Sequence, residues 1–315
     1  MDSLDKKILL ELIVNCRISY RDIAQRINLS PSSVKKRMDY LEEAGFIDRY
    51  MVTLNPDITN SRYATLIAKT DASVKISTFR DRTIAFDGVY MILPFINGNF
   101  YVSIEYSKKS ELQSLKELVG SIPGVNEVEV YDVLPPELTA NQPEAPDFTK
   151  NELMVLSQLA IDARMVDYDI AAKLGWPTKK VKQILDDLAG NQKVAFGLRW
   201  NPNLGRDIGF NVIITYDKTI TSAKTITDWL GKEYPVSYFN SRVVESKSTL
   251  FAVFTLERIV EMEPIVMAVL ELDGITSCYA MTYYNAIIGK TLSRLRLERI
   301  LELEGLWPPV EQNDT

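Results

Sequence analysis

The chain repeats itself. Asn15-Cys16-Arg17-Ile18-Ser19-Tyr20-Arg21-Asp22-Ile23-Ala24 aligns with Asp162-Ala163-Arg164-Met165-Val166-Asp167-Tyr168-Asp169-Ile170-Ala171 at an offset of 147 residues. The register continues: Val34 meets Val181, Lys35 meets Lys182, Leu41 meets Leu188 and, one deletion later, Asn55-Pro56 meets Asn201-Pro202. Chance seldom holds such a register, so the fold is expected to contain two like units. Between them, Leu134-Pro135-Pro136-Glu137 through Asn141-Gln142-Pro143-Glu144-Ala145-Pro146 holds four prolines in a polar setting. Such a segment continues neither a helix nor a central strand and reads as a linker. The length of 315 residues exceeds the roughly 100–200 of one ordinary domain, and two to four domains are expected.

Each copy has the same internal order. Leu4, Ile8, Leu9, Leu12 and Ile13 recur at helical spacing, Ser19 suits the N-cap of a short helix Tyr20 to Ile27, and Ser30-Pro31 opens a third helix that Gly45 ends. The β-rich run Phe46 to Leu54 then stops at Asn55-Pro56, as a wing hairpin does. Arg62 to Lys69 reads as a strand, Ser73 to Phe86 as a helix, and Tyr90 to Phe95 with Phe100 to Tyr106 as a hairpin around Asn97-Gly98. Helix Ser110 to Val119 and strand Val125 to Val133 complete the order βαββαβ, the ferredoxin-like arrangement. The second copy repeats it with strands near Phe210 to Tyr216, Tyr238 to Val244, Leu250 to Thr255 and Ser277 to Tyr283, and helices near Ser222 to Lys232 and Ile259 to Leu272. A charged helix, Ala286 to Glu304, is extra. The expected α+β architecture is therefore a winged helix-turn-helix (1–56), a ferredoxin-like domain (57–136), a linker (137–147), a second winged helix-turn-helix (148–203), a second ferredoxin-like domain (204–285) and a C-terminal helix with a disordered tail (286–315).

A helix-turn-helix works because its second helix fits the major groove and turns short polar and basic side chains towards phosphates and base edges. Ser30, Ser32, Ser33, Lys35, Lys36 and Arg37 supply that set, while Val34, Met38 and Leu41 form the opposite, inward stripe. The same cations also suit the solvated side of any surface helix; the surrounding order of elements favours DNA. Arg49 and Tyr50 of the wing either touch the phosphate backbone or pack on the domain. In the second copy Lys179, Lys180 and Lys182 keep a basic helix start, but Gln183 and Ile184 replace Lys36 and Arg37. That copy either reads a different sequence or serves assembly.

Composition narrows the chemistry. The chain contains no histidine, which removes histidine-based triads, the usual catalytic zinc sites and the commonest general base near neutral pH. No enzyme activity, cofactor or metal is expected. Cys16 and Cys278 are far apart without metal-ligand spacing and read as core thiols in a reducing compartment. A net charge of −6 places any DNA affinity in local patches. The start of the chain lacks a basic, apolar and cleavable leader pattern, and no apolar run approaches the roughly 18 residues of a membrane span; a cytoplasmic location is expected.

Leu4-Asp5-Lys6-Lys7-Ile8-Leu9, Arg17-Ile18-Ser19, Leu29-Ser30-Pro31-Ser32-Ser33-Val34, Arg37, Leu41-Glu42 and Gly45-Phe46-Ile47 resemble the winged helix of the Lrp/AsnC feast/famine regulators. Ile96-Asn97-Gly98-Asn99-Phe100-Tyr101 is similar to that family's glycine-containing hairpin, and Ile122-Pro123-Gly124-Val125 to the entry of its last strand. The likeness is weaker in the second half, where Asp169-Ile170-Ala171-Ala172-Lys173-Leu174 and Leu272-Asp273-Gly274-Ile275 carry it. The resemblance implies a sequence-specific regulator of transcription that binds double-stranded DNA. It also implies ferredoxin-like domains that dimerise sheet to sheet and assemble further into homo-oligomers, with small effectors such as amino acids held between subunits. In a tandem chain the two such domains are expected to pair within one polypeptide and present two unlike winged helices. Asn97, Gly98 and Asn99 are the effector-binding candidates the resemblance implies, although a turn needs no ligand to explain it; the second copy has Glu245-Ser246-Lys247-Ser248 there. Tyr283 and Tyr284 line a pocket or belong to core or interface. Two rivals remain at this point: a sensor or assembly protein that does not bind DNA, its C-terminal helix (Lys290, Arg294, Arg296, Arg299, Glu298, Glu302, Glu304) docking a partner, and a relative of the siroheme decarboxylases. The latter combine the same modules but rely on histidine.

Overall fold

The computed structural model describes residues 1–55, 59–133, 148–205 and 207–306; Pro56, the linker 137–147 and the tail Pro308 to Thr315 lie outside the described residues. The chain gathers into two compact units, and each draws on both copies.

The winged-helix unit takes residues 2–61, 148–201 and 292–306. Helix α1 (Ser3–Val14) starts at Asp2, whose carboxylate accepts from the Leu4 and Asp5 amides while Asp5 accepts from the Asp2 amide. Orphan donors at the helix start are thereby satisfied. Helix α2 (Tyr20–Ile27) is capped by Ser19 and α3 (Pro31–Glu43) by Ser30, with Pro31 in its first turn. In the second copy α6 (Lys150–Ile161) has a Thr149–Glu152 capping box, followed by α7 (Asp167–Leu174) and α8 (Thr178–Gly190), which Pro177 precedes without a side-chain cap. Gly45 and Gln192, 147 residues apart, both adopt positive φ, +76° and +51°. The second copy thus keeps the turn without the glycine that relieves its strain.

The expected wing hairpin is replaced by a single strand in each copy. Strand β1 (Ile47–Leu54) pairs antiparallel with β6 (Val194–Trp200), from Ile47↔Trp200 to Leu54↔Val194. Neither run contains a tight-turn pair at its middle, so neither can fold back on itself. The open edge is satisfied by the corresponding strand of the other copy. The C-terminal helix is shorter than expected and packs one face into the unit while the other stays exposed. Leu297 and Leu301 of α11 (Leu292–Leu303) are fully buried, Arg294 pairs with Glu298 at 2.9 Å and donates to Ala160 O at 2.8 Å, and Arg296 donates to Thr59 O. The Arg294–Glu298 pair is thus internal, while Arg299 and Glu302 pair at 3.2 Å on the exposed side of the helix.

The second unit takes 62–133 and 202–291. Its first half runs β2 (Arg62–Thr70), α4 (Ile76–Thr83), β3 (Val89–Pro94), β4 (Phe100–Tyr106), α5 (Lys109–Gly120), β5 (Val125–Val133). Its second half runs β7 (Ile208–Tyr216), α9 (Ala223–Glu233), β8 (Tyr238–Val244), β9 (Thr249–Leu256), α10 (Met262–Leu270), β10 (Ile275–Tyr283). Both are βαββαβ, as the alternation requires. A short 3-10 turn, Ile259–Glu261, precedes α10, and Pro264 falls in the helix's first turn, where its missing N–H costs nothing. Residues Ile287–Ile288, expected as helix, form β11 and pair with β3, giving sheets ordered β11-β3-β4-β2-β5 and β10-β7-β9-β8.

The α4- and α5-facing side of the first sheet closes over Leu66, Phe79, Phe100, Val102 and Leu115, and the corresponding side of the second over Phe210, Val212, Leu230, Phe254 and Val269. The opposite faces meet: Ile67, Leu93, Phe95, Tyr101 and Val133 form one buried cluster with Ile213, Val244, Phe251, Tyr283 and Ala286. The ferredoxin-like domains therefore pair within the polypeptide. Tyr283 belongs to this core, its ring lying where a side chain at Gly209 would collide with it, whereas Tyr284 is exposed.

Candidate nucleic-acid interface

Helix α3 sorts its residues by angle. Val34, Met38 and Leu41 are buried, and Ser30, Ser32, Ser33, Lys35 and Lys36 are exposed on the other side. The serines bond among themselves: Ser30 Oγ accepts from the Ser33 amide and lies 3.0 and 2.8 Å from the hydroxyls of Ser32 and Ser33. Cap and dipole together make this helix start a natural seat for a phosphate. Lys35 reaches Asp39 one turn on at 2.7 Å, an exposed pair that a phosphate can displace at little cost.

Arg37 behaves differently from the expectation. Its Nη1 lies 2.7 Å from both Asp2 and Asp5, so it ties α3 to the start of α1 instead of facing outward. Tyr50 is buried and donates to Glu42 at 2.5 Å, which removes it from a backbone-contacting role. Arg49 is exposed on β1, 3.7 Å from Asp48, whose carboxylate also pairs with Arg199. In α8, Lys179 and Lys182 are exposed. Lys180 sits 3.5 Å above the Trp176 ring and 3.3 Å from Asn151 Oδ1, held to its own domain.

In the turn Asn97-Gly98-Asn99, polar groups are engaged by the fold itself. Thr70 donates through its amide to Asn99 Oδ1 at 3.0 Å and through its hydroxyl to Gly98 O at 2.8 Å, and the Asn99 amide donates to Asn97 Oδ1. These bonds account for the residues without a ligand.

The residues that hold the two winged helices in register were not among the expected ones. Arg17 donates from Nη1 to Ala163 O and Met165 O, both at 2.9 Å, and pairs with Asp167 at 2.7 Å. Arg164, its counterpart in the repeat, donates to Cys16 O and Ile18 O and lies over the rings of Tyr20 and Tyr50 at 4.9 and 5.7 Å. The backbone follows the same symmetry, Cys16 N donating to Phe196 O and Ala163 N to Tyr50 O. Each copy thus inserts one arginine into the loop after the first helix of the other. A signal existed, since Arg17 and Arg164 fall at the same place in the repeat, but repeat alignment does not say that equivalent residues touch.

Cys16 lies in this seam, and burial pushes its thiol up to about 12 although Arg164 and Arg17 pull the other way. Burial does the same for Cys278, to about 12. A thiol raised this far is almost wholly protonated at pH 8 and unreactive. Iodoacetamide at pH 8 is expected to leave both unmodified in the native protein and to label both in urea, as mass spectrometry reports; rapid native labelling of Cys16 contradicts the buried seam.

Among the described residues no helix is long and apolar enough to cross a membrane, and no cluster of acidic and cysteine side chains is placed to hold a metal ion.

Residues 1–48 match a family model described as winged helix-turn-helix DNA-binding. The leucine-responsive regulatory protein of Haemophilus influenzae is 27% identical over 140 residues, 42% of this chain and 84% of that protein. An uncharacterized HTH-type transcriptional regulator of Pyrococcus abyssi is 28% identical over 136 residues, 42% of this chain and 92% of its own length. Two solved structures of the siroheme decarboxylase NirDL, one with an iron-uroporphyrin III analogue, share the fold over 96% and 98% of this chain and all of theirs, at TM-scores of 0.55 and 0.57 and 12% and 14% identity. The tandem architecture is therefore shared with an enzyme, and the sequence kinship lies with regulators. Over its N-terminal part, winged helix-turn-helix included, the chain is a homologue of the Lrp/AsnC regulators.

Proposed function

We propose that the chain is a cytoplasmic DNA-binding regulator of transcription that responds to a small effector of the amino-acid class and assembles into homo-oligomers. The observation that carries this reading is the exposed face of α3: a serine-capped helix start followed by Lys35 and Lys36, backed by a buried apolar stripe. Ser30, Ser32, Ser33, Lys35 and Lys36 are its proposed contacts, with Arg49 on the backbone and Lys179 and Lys182 from the second copy. Because the arginine seam couples the two winged helices, a bound operator has unlike half-sites. Kinship with regulators over this segment supports the reading.

Replacing Lys35 and Lys36 with alanine is expected to weaken binding to genomic fragments and to lower the slope of log affinity against log salt by about 2, one for each phosphate no longer neutralised. Fluorescence anisotropy over a salt series measures both. An unchanged slope rules out α3 as the phosphate-binding element.

The fold shared with NirDL supports a second reading as an enzyme. The chain has no histidine to serve as proton donor, which weighs against it. Titration with siroheme decides: a saturable absorbance shift together with release of carbon dioxide favours the enzyme, and the absence of both the regulator.

A further inference from the structure

The two sheets of the ferredoxin-like pair present rungs that correspond one to one. In the first copy the rung is Ile67–Tyr101–Leu93, in the second Ile213–Phe251–Arg242. Five of these six side chains are apolar or aromatic members of the inter-sheet cluster, and the sixth is an arginine where its counterpart is Leu93. Packing alone does not ask for a cation there.

Arg242 is half-buried. Its Nη1 donates to Tyr90 Oη and, at 3.4 Å, to Ser103 Oγ, and its guanidinium lies 5.3 Å from the Tyr90 ring centre. Tyr63 stands edge-on to Tyr90 at 6.3 Å, and Thr65 donates to the Tyr101 hydroxyl at 3.0 Å. Nε and Nη2 meet no acceptor among the described residues, and no carboxylate there forms an ion pair with Arg242. Taking a guanidinium from water without a counter-ion is costly, and tyrosine hydroxyls offset little of that cost. The neighbouring rung adds a second anomaly. Asn211 is 1% exposed, and its Oδ1 has no hydrogen-bond partner among the described residues.

We infer that the seam between the sheets at Arg242, Tyr90 and Ser103 binds the carboxylate of a small organic molecule. The planar fork of Nε and Nη2 matches a carboxylate in bidentate fashion, and the aromatic rings of Tyr63 and Tyr90 suit an apolar body. The site lies between the halves of one polypeptide, not at the Asn97–Asn99 turn. The inference deepens the effector part of the proposed function, and its test uses no DNA, so each can fail without the other.

Calorimetry and thermal unfolding of the full chain with each L-amino acid, benzoate, acetate and inorganic phosphate provide the test. At least one carboxylate is expected to bind saturably and raise Tm, with affinity falling at least about tenfold in Arg242→Met, where the charge-assisted fork is gone. Without ligand, Arg242→Met is expected to be as stable as the parent or more so. No saturable carboxylate, phosphate binding tighter than every carboxylate, or binding unchanged in the variant each overturns the inference. If Arg242→Met does not fold, Arg242→Lys keeps the charge and loses the fork; unchanged affinity of the same probe in that variant overturns it equally.

Discussion

Arg17→Met is expected to lower the stability of the winged-helix unit by about 2 to 4 kcal/mol, and Arg164→Met by a similar amount. Each substitution removes a guanidinium bridging two backbone carbonyls of the other copy, and a carbonyl left in a buried seam without a donor costs about 1 to 3 kcal/mol. Arg17 adds an ion pair with Asp167, whose side chain is one-third exposed and contributes little. Arg164 has no such pair among the described residues but lies over Tyr20 and Tyr50, interactions worth about 0.5 to 1 kcal/mol each. Urea unfolding measures the destabilisation, and hydrogen exchange at the amides of β1 and β6 locates it. Since both arginines clamp one seam, the double variant should be destabilised by less than the sum of the singles. Full additivity would show that the two ends open independently.

That seam also illustrates how far local reasoning reaches. Ser19, Ser30 and Pro31 announce their helices because capping is decided within three or four residues. Asn97-Gly98 announces its hairpin for the same reason. The pairing of β1 with β6 is invisible in Phe46 to Leu54, since a strand's hydrogen-bond partner is not encoded in its own residues, and the nearest plausible one is a fold-back that the segment lacks the turn to make. Arg37, three residues after Val34, falls on the flank of the buried stripe and away from Lys35 and Lys36, but its partners Asp2 and Asp5 lie 35 and 32 residues away, beyond the reach of local spacing. The mixed charges of 286–304 suggest a solvated helix, and Arg299 and Glu302 are exposed, but burial of Arg294 and Glu298 together, with Ala160 O as a further acceptor, makes that one pair internal. Arg242 has no local signal at all, and only the register of four strands shows that it replaces a leucine.

The pairing of the two ferredoxin-like domains turns on Phe251, which makes Phe251→Ala the sharpest test of whether they form one cooperative body. Its ring is 1% exposed. It lies edge-on to Tyr101 at 5.8 Å and to Tyr131 at 5.2 Å, both from the first copy. Truncation of such a ring is expected to cost about 3 to 5 kcal/mol, the forfeited transfer energy plus that of the cavity left between the sheets. Part of this cost is pairwise: a double-mutant cycle with Tyr101→Ala should give a coupling of about 0.5 to 1.5 kcal/mol. Phe254→Ala supplies the control, because Phe254 stacks on Phe210 at 5.3 Å and meets Tyr234 and Tyr238, all in the second copy. It should cost as much in stability but show no coupling to Tyr101. Equal, near-zero coupling in both cycles would mean that the inner faces touch without holding each other, and the site proposed at Arg242 would then lack a fixed wall.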